Sequence, residues 1–160
     1  MSASPPPEDL AGASRERALV IGVLALQGGS AEHLEKLDAI PRVKGIPITR
    51  SAEMEDVDAL ILPGGESSAI GMLLEGNGML CPLRERIAGG LPVWGTCAGM
   101  ILLARELRND SRRHLAVMDI AVERNAYGTQ GDSFVCEAPV KYLEGSPFPL
   151  VFIRDRKSVV

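Results

Sequence analysis

This 160-residue chain has no long apolar run, few cysteines and no large excess of charge of either sign. Its apolar residues are broken into short runs, none near the roughly 18 consecutive residues that a membrane-spanning helix needs. The three cysteines, Cys81, Cys97 and Cys136, are odd in number and widely spaced, which argues against a disulfide framework and against a zinc site. We therefore expect a reducing, cytoplasmic location, no membrane contact, no bound metal and no cofactor.

The charge balance and the amino-terminal segment exclude further classes of protein. A net charge of -4 gives no electrostatic reason to expect nucleic acid or an anionic membrane as a partner. In residues 1–17 no apolar segment follows a basic start, so a secretory signal is not indicated and a disordered leader is expected. The remaining length is that of a single domain with a substantial core.

Short apolar segments alternate with polar, helix-forming ones along the rest of the chain. Residues 19–26 form a near-continuous apolar run, which is typical of a central parallel strand buried on both faces. After the turn at 27–29, Ser30 is expected to cap a helix that runs to about Ile40. The alternation predicts an α/β three-layer sandwich with a mostly parallel central sheet. Further strands are predicted at 46–49, 58–62, 91–94, 115–123, 132–140 and 150–153, and further helices at 67–74, 82–88 and 100–104.

Three loops follow predicted strands of this sheet, at residues 27–29, 63–67 and 95–97. The carboxyl ends of parallel strands lie at one edge of the sheet, and α/β proteins bind their ligands at that edge. We therefore expect the three loops to converge on one site.

Cys97 lies in the third of these loops, between the strand predicted at 91–94 and the helix predicted at 100–104. A sharp turn flanked by small residues can raise a nucleophile above the sheet, and the amino end of the following helix favours the negative charge of a thiolate. The N–H of Ala98 would then face an oxyanion that forms beside the sulfur. The pattern alone is also compatible with an ordinary buried cysteine in a strand-to-helix turn.

The second loop contains the pair Gly64-Gly65, whose backbone N–H groups are not covered by side chains. We expect the N–H of Gly65 to join that of Ala98 in an oxyanion hole with two donors. The alternatives are a phosphate-cradling loop and a plain turn. A nucleotide site is weakly supported, because the chain has neither a Gly-Lys-Ser/Thr phosphate loop nor a spaced G-x-G-x-x-G.

The ordered set of motifs resembles the glutaminase subunits of pyridoxal 5′-phosphate synthase, which are part of the broader class I glutamine amidotransferases. The likeness extends over nearly all of residues 20–154, and a set of motifs in this order is highly specific. The matching motifs are Val23-Leu24-Ala25-Leu26-Gln27-Gly28, Leu62-Pro63-Gly64-Gly65-Glu66-Ser67, Gly95-Thr96-Cys97-Ala98-Gly99, Glu123-Arg124-Asn125 with Tyr127-Gly128, Asp132-Ser133-Phe134 and Val151-Phe152-Ile153-Arg154.

The resemblance implies a glutaminase that hydrolyses L-glutamine to glutamate and ammonia and passes the ammonia to a synthase (lyase) subunit. It implies that Cys97 is the nucleophile, since this residue matches the family's nucleophile by position. An arginine can clamp the carboxylate of glutamine and a glutamate can accept its ammonium, although an arginine taken alone is more often a solvated surface residue. The positions that match the family's glutamine contacts are Gly65, Glu66, Ser67, Arg124, Ile153 and Arg154.

One part of the family's machinery has no match in these residues. Departing ammonia must be protonated, and the family supplies a histidine for this step in a Phe-His-Pro-Glu segment near its C-terminus. The 160 residues contain no such segment, and His33 and His114 match positions without a catalytic role, where surface or turn histidines are expected. We therefore expect a C-terminally truncated chain with impaired or absent glutaminase activity. The alternative is a non-catalytic short form that binds or regulates the synthase subunit.

The resemblance also implies an organisation along the chain. We expect a disordered leader over 1–17, a partial glutaminase-like domain over 18–154 and a divergent tail over 155–160. Without the family's later strands, the sheet is expected to be incomplete at the C-terminus and to expose an apolar face and an open strand edge. Marginal stability, or dependence on a partner, follows from that expectation.

Overall fold

A sheet of four parallel strands forms the centre of the computed structural model, which describes residues 17–108, 110–124, 134–139, 147–152 and 156–159. The strand bounds are Leu19–Leu24 for β1, Val43–Ile48 for β2, Ala59–Leu62 for β3 and Val93–Gly95 for β4. The strands lie in the order β2-β1-β3-β4. The last four residues of β1 are buried, as expected for a central strand with both faces covered.

Helices cover both faces of this sheet, and their bounds are Ser30–Asp38 for α1, Ser67–Gly76 for α2, Leu80–Ala88 for α3 and Ala98–Leu103 for α4. Strand side chains on one face of the sheet, such as those of Val23 and Ile61, pack against Leu37 of α1. Side chains on the other face, such as those of Leu60 and Leu62, pack against α2, α3 and α4. Each fully buried leucine contributes about 1.5–3 kcal/mol. The predicted α/β sandwich with a mostly parallel sheet is confirmed. In the part of the chain that the structure describes, no helix has the length and apolar character needed to cross a membrane.

Shorter strands follow α4. β5 (Ala104–Leu107) and β6 (Met118–Arg124) pair in parallel, whereas β7 (Phe134–Ala138) and β8 (Phe148–Phe152) form an antiparallel pair. β9 (Arg156–Val159) pairs antiparallel with β6. The sequence pattern did not predict β5 or β9, because β5 continues an apolar run that reads as helix and β9 lies in the expected tail.

Three local predictions are wrong. Ser30 does not cap α1, because it is the first residue of the helix, and the N-cap position is Gly29, which has no side chain. The helix predicted at 100–104 ends one residue early, since Ala104 has extended backbone angles of φ -60° and ψ 137° and begins β5. The strand predicted from residue 115 begins only at Met118, because Ala116 has a φ of 54°, which is incompatible with an extended strand.

The amino ends of β1 and β3 are joined through Asp58. Its carboxylate accepts a hydrogen bond from the N–H of Val20 (2.8 Å) and pairs with Arg17. The N–H of Val20 and, after it, the guanidinium of Arg17 hold the pKa of Asp58 below its ordinary value. This junction lies at the edge of the sheet opposite to the one where the strands end.

Candidate active site

Cys97 lies in a strained turn between β4 and α4. It has φ 54° and ψ -107°, which is an unfavourable conformation for a residue with a side chain and costs of order 1–3 kcal/mol. The turn is held by backbone bonds on both sides: the N–H of Thr96 donates to Leu62 O (2.9 Å), and the N–H of Gly99 donates to Thr96 O (2.8 Å). Cys97 is exposed rather than buried in the interior. The structure therefore has the strand, sharp turn and helix that the sequence predicts around this thiol.

Gly99 allows α4 to start directly against β3. A Cβ atom at this position would lie 2.0 Å from the backbone oxygen of Leu62, so only glycine fits without a shift of the helix. Leu62 is the last residue of β3 and is fully buried. The amino end of α4, and with it Cys97, is thus fixed beside the loop that follows β3.

The three loops after β1, β3 and β4 meet as predicted. A Cβ at Gly64 would lie 3.3 Å from Cys97 Cβ and 3.7 Å from its Sγ, so the second loop passes alongside the thiol. The N–H of Gly29 donates to Gly64 O (3.0 Å), which joins the first loop to the second. Gly28 has a φ of 103°, and a Cβ there would lie 2.0 Å from Gly64 O, so this close approach requires glycine.

The hydrogen bond to Gly64 O also orients the following peptide group. In a trans peptide the N–H and C=O point in opposite directions, and the described part of the chain contains no cis peptide bond. Because the carbonyl of Gly64 points to Gly29, the N–H of Gly65 points away from the first loop. The next residue is held as well, since the N–H of Glu66 donates to Oε1 of Gln27 (2.9 Å).

Glu66 and Ser67 begin α2 and differ in exposure. Glu66 is exposed, and its carboxylate caps the helix by accepting hydrogen bonds from the N–H groups of Ser68 (3.1 Å) and Ala69 (2.7 Å). The pKa of Arg112 is raised, chiefly by its hydrogen bond to Asp110, and the nearby charge of Glu66 adds to this effect. Ser67 is fully buried, and its Oγ makes no hydrogen bond within the described part of the chain. The capping role of Glu66 was not predicted.

His33 lies next to the cysteine turn. It is half-buried on α1, and its Nε2 lies within hydrogen-bonding distance of Thr96 Oγ1 (3.2 Å). The ring also makes an edge contact with the ring of Trp94, with centroids 6.1 Å apart and planes at 75°. Sequence reasoning missed this contact, because His33 and Thr96 are 63 positions apart and nothing in their spacing links them.

His114 is not a surface residue, and this part of the prediction is wrong. It is 6% exposed and packs against α2, where a Cβ at Gly71 would lie 2.2 Å from its Nδ1. Its carbonyl accepts a hydrogen bond from Nη2 of Arg84 (2.6 Å), which holds this segment against α3. The absence of a side chain at Gly71 makes room for the imidazole.

The structure brings together Gly65, Glu66, Ser67, Cys97 and Ala98 at the carboxyl edge of the sheet. Of the other predicted glutamine contacts, Arg124 is the last residue of β6, and Ile153 and Arg154 lie outside the described residues. Among the described residues, no group of three or more histidine, cysteine, aspartate or glutamate side chains is placed to hold a metal ion.

The fold and the strained cysteine turn define a class, that of the glutamine amidotransferases. A crystal structure of a glutamine amidotransferase superposes with a TM-score of 0.77 at 40% sequence identity, over 85% of this chain and 71% of that chain. The model of the SNO glutamine amidotransferase family matches residues 23–158. The chain belongs to the SNO glutamine amidotransferase family.

Curated relatives are similar to this chain over 63–71% of their own length. The pyridoxal 5′-phosphate synthase subunit PdxT of Ruminiclostridium cellulolyticum is 52% identical over 134 residues, which are 84% of this chain and 71% of the relative. The protein of the same name from Streptococcus pneumoniae is 48% identical over 138 residues, with 84% of this chain and 70% of the relative covered. The one from Hyperthermus butylicus is 52% identical over 128 residues, with 77% and 63% covered.

Proposed function

We propose that this chain is the glutaminase subunit of a pyridoxal 5′-phosphate synthase, and that it hydrolyses L-glutamine to glutamate and ammonia for vitamin B6 biosynthesis. The observation that carries the proposal is Cys97: an exposed thiol held at φ 54° beside Gly64, in a chain 52% identical to a PdxT protein. Its partner is the synthase (lyase) subunit, which receives the ammonia.

In the proposed reaction the thiolate of Cys97 attacks the side-chain amide carbon of glutamine. The oxyanion that forms accepts hydrogen bonds from the N–H groups of Ala98 and Gly65, and each such donor contributes about 10²–10³ in rate. Collapse of the intermediate expels the amide nitrogen, which leaves as ammonia once protonated, and water then hydrolyses the thioester to glutamate. The direction of the Gly64 carbonyl supports this role for Gly65, since its N–H is turned away from the first loop.

The residues that bind the α-carboxylate and α-ammonium groups of glutamine are assigned through the family resemblance. Arg124 and Arg154 are proposed to bind its carboxylate, and Glu66 its ammonium, with Ser67 and Ile153 lining the pocket. Glu66 already accepts two backbone N–H groups, but a carboxylate has about four lone-pair sites, so it retains capacity for an ammonium. An exposed carboxylate at the mouth of the site is consistent with that role.

Neither histidine among these 160 residues is a candidate for the general acid that protonates the departing ammonia. The 160 residues contain two histidines: His33 is engaged by Thr96, and His114 is buried against Gly71. We therefore propose that a polypeptide of these 160 residues is impaired, by up to about a million-fold in turnover, which is the cost of losing the base of a catalytic triad. A second candidate function is a non-catalytic form that binds or regulates the synthase subunit, which would form the complex without turnover.

Two measurements on the 160-residue chain test these proposals. Iodoacetamide labelling, read by mass spectrometry in a Cys81→Ser/Cys136→Ser background, reports the reactivity of Cys97, with Cys97→Ser as the control. Ammonia release from glutamine, with and without the synthase subunit, reports turnover. Rapid labelling with little ammonia release supports a reactive nucleophile in a chain whose turnover is impaired. Turnover equal to that of a PdxT relative would overturn the proposed impairment. An unreactive Cys97 would contradict the proposed chemistry.

Binding to the synthase subunit is tested separately by sedimentation of the two proteins together. A complex without turnover favours the regulatory form, and the absence of any complex at micromolar concentrations would contradict both candidate functions.

A further inference from the structure

A side chain of α1 reaches the turn that holds the nucleophile. Nε2 of His33 lies 3.2 Å from Oγ1 of Thr96, the residue immediately before Cys97. The imidazole is also held from the side by an edge contact with Trp94 of β4. α1 packs on the opposite face of the sheet from α4, so this contact joins one helical layer to the turn that leads into the other.

The contact acts on a residue whose position decides that of Cys97. The backbone of Thr96 is fixed on both sides, through its N–H to Leu62 and through its carbonyl to Gly99. Threonine is β-branched and stiff at χ1, so fixing its Oγ1 also fixes the direction of its Cα–Cβ bond. The hydrogen bond to His33 is therefore a third restraint on the peptide group that leads into the strained residue.

A strained conformation persists only when its surroundings over-determine it. Cys97 has no side-chain cap of its own, and its φ of 54° is held by the residues around it. Removing one of the restraints on Thr96 would allow the turn to relax towards ordinary backbone angles, which would move the sulfur relative to Gly64 and Ala98.

We infer that His33 is a positioning residue, which holds Thr96 and through it keeps the thiol of Cys97 in its reactive orientation. This inference rests on the proposed function of Cys97 and adds to it a residue outside the family's glutamine contacts and oxyanion hole. A neutral imidazole can accept a hydrogen bond from the Thr96 hydroxyl group or donate one to its oxygen, depending on the tautomer. A glutamine at position 33 carries a terminal polar atom near the position of Nε2, and a leucine fills similar space without one.

The test measures the rate of Cys97 alkylation by iodoacetamide in the full 160-residue chain, with Cys81→Ser and Cys136→Ser removing the other thiols. His33→Leu and Thr96→Val should each slow the reaction about 3- to 10-fold, the value expected for one hydrogen bond. His33→Gln and Thr96→Ser retain a polar partner and should recover most of the rate. The double variant His33→Leu/Thr96→Val should be no slower than either single one, because both remove the same interaction.

Lys36→Gln is the matched control, because Lys36 is exposed on the same helix and its substitution should leave the alkylation rate unchanged.

Trp94 is the sole tryptophan of the chain, so its fluorescence reports directly on its contact with the ring at position 33. We expect the emission to change in His33→Leu and not in Lys36→Gln. Circular dichroism identifies any variant that fails to fold, and the Thr96→Val and Thr96→Ser pair then provides the same comparison with a smaller change.

The possible failures are distinguishable. If Cys97 does not react in the parent chain, the proposed function is overturned, and this inference with it. If Cys97 reacts but His33→Leu reacts at the same rate, only the role of His33 is overturned. The same conclusion follows if His33→Gln is as slow as His33→Leu, because the effect would then come from packing rather than from the hydrogen bond.

Discussion

Two strand-to-helix turns lie side by side at the carboxyl edge of the sheet, and they end in opposite ways. The turn from β3 to α2 is closed by Glu66, whose carboxylate accepts the N–H groups of Ser68 and Ala69. The turn from β4 to α4 has Cys97 at the same position, with no side-chain cap and a φ of 54°. The first N-cap stabilises its helix, whereas the second is strained.

The two turns differ in how the N-cap side chain treats the first N–H groups of its helix. The first N–H groups of any helix lack partners within the helix, and a side chain, water or a ligand must satisfy them. At α2 the side chain of Glu66 does so, whereas at α4 the side chain of the N-cap residue, Cys97, makes no capping hydrogen bond within the described part of the chain. Under the proposed function, the N–H of Ala98 at this helix end donates to the oxyanion, and such a donor is in place before the charge forms.

The largest expected effect comes from Gly99, which seats α4 against β3. Gly99→Ala would place a Cβ 2.0 Å from Leu62 O, so we expect the free energy of unfolding to fall by about 3 kcal/mol or more. We also expect Cys97 to lose its preferential labelling over the other two cysteines. Urea denaturation followed by circular dichroism measures the change.

Gly76→Ala at the end of α2 is the matched control. No atom lies within 4 Å of the new Cβ, and alanine is the better helix former, so stability should rise by up to about 1 kcal/mol. Equal destabilisation by Gly76→Ala and Gly99→Ala would show that the contact with Leu62 is not what makes Gly99 necessary.

The second prediction concerns strain at Cys97. Cys97→Gly removes the side chain that disfavours a φ of 54°, so we expect it to abolish alkylation at this position and yet to raise the free energy of unfolding by about 1–2 kcal/mol. Cys97→Ser keeps a side chain and should leave stability nearly unchanged. Urea titrations of the three proteins provide the comparison. A Cys97→Gly variant less stable than the parent would mean that the turn is not strained.

The third prediction tests the capped turn. Glu66→Ala removes the acceptor for two backbone N–H groups and should lower the free energy of unfolding by about 0.5–1 kcal/mol. Glu66→Gln keeps an acceptor and should lose less. Glu75→Ala, on the exposed surface of the same helix, should be close to neutral. Thermal unfolding followed by circular dichroism ranks the variants, and a neutral Glu66→Ala would remove the contrast between the two turns.

The smallest expected effect concerns another capping carboxylate, that of Glu53 in the 3-10 turn Ser51–Met54. The N–H of Thr49 and then the side chain of Arg50 hold the pKa of Glu53 at about 2. The folded pKa is thus below the ordinary carboxyl value of about 4.3, so the stabilisation is complete above that pH and is lost as the pH falls from about 4.3 towards 2.

Glu53→Gln should therefore weaken the dependence of stability on pH in this window and leave the dependence above pH 5 unchanged. Urea midpoints measured at several pH values from 2 to 7 check the prediction. Parallel curves for the parent and the variant would contradict the assigned pKa.

Features that depend on local pattern could be predicted from the sequence. The apolar runs that form β1 and β3 identified the buried parallel strands, and the glycines beside Cys97 identified a sharp turn. The rule that parallel strands end at one edge then placed Gly64 near Cys97, which the structure confirms. The roles of the site residues in catalysis and glutamine binding remain predictions.

Features that depend on contacts between distant segments could not be predicted. The bond from His33 to Thr96 and the burial of His114 against Gly71 arise only when α1 and α2 pack on the sheet. The helical run from Met100 gave no sign that Ala104 would leave the helix to pair with Met118, since alanine by itself favours a helix over a strand. Ser30 was a plausible cap by residue type, but the chain places Gly29 at that position.

The junction at Asp58 has a practical consequence for experiments on this molecule. This junction ties β1 to β3 at the amino end of the sheet, and the exposed residue Ala18 beside it lies roughly 20 Å from the end of β1, where the first of the three loops begins. A fluorophore or affinity handle attached at Ala18 would leave the thiol and its surroundings unobstructed.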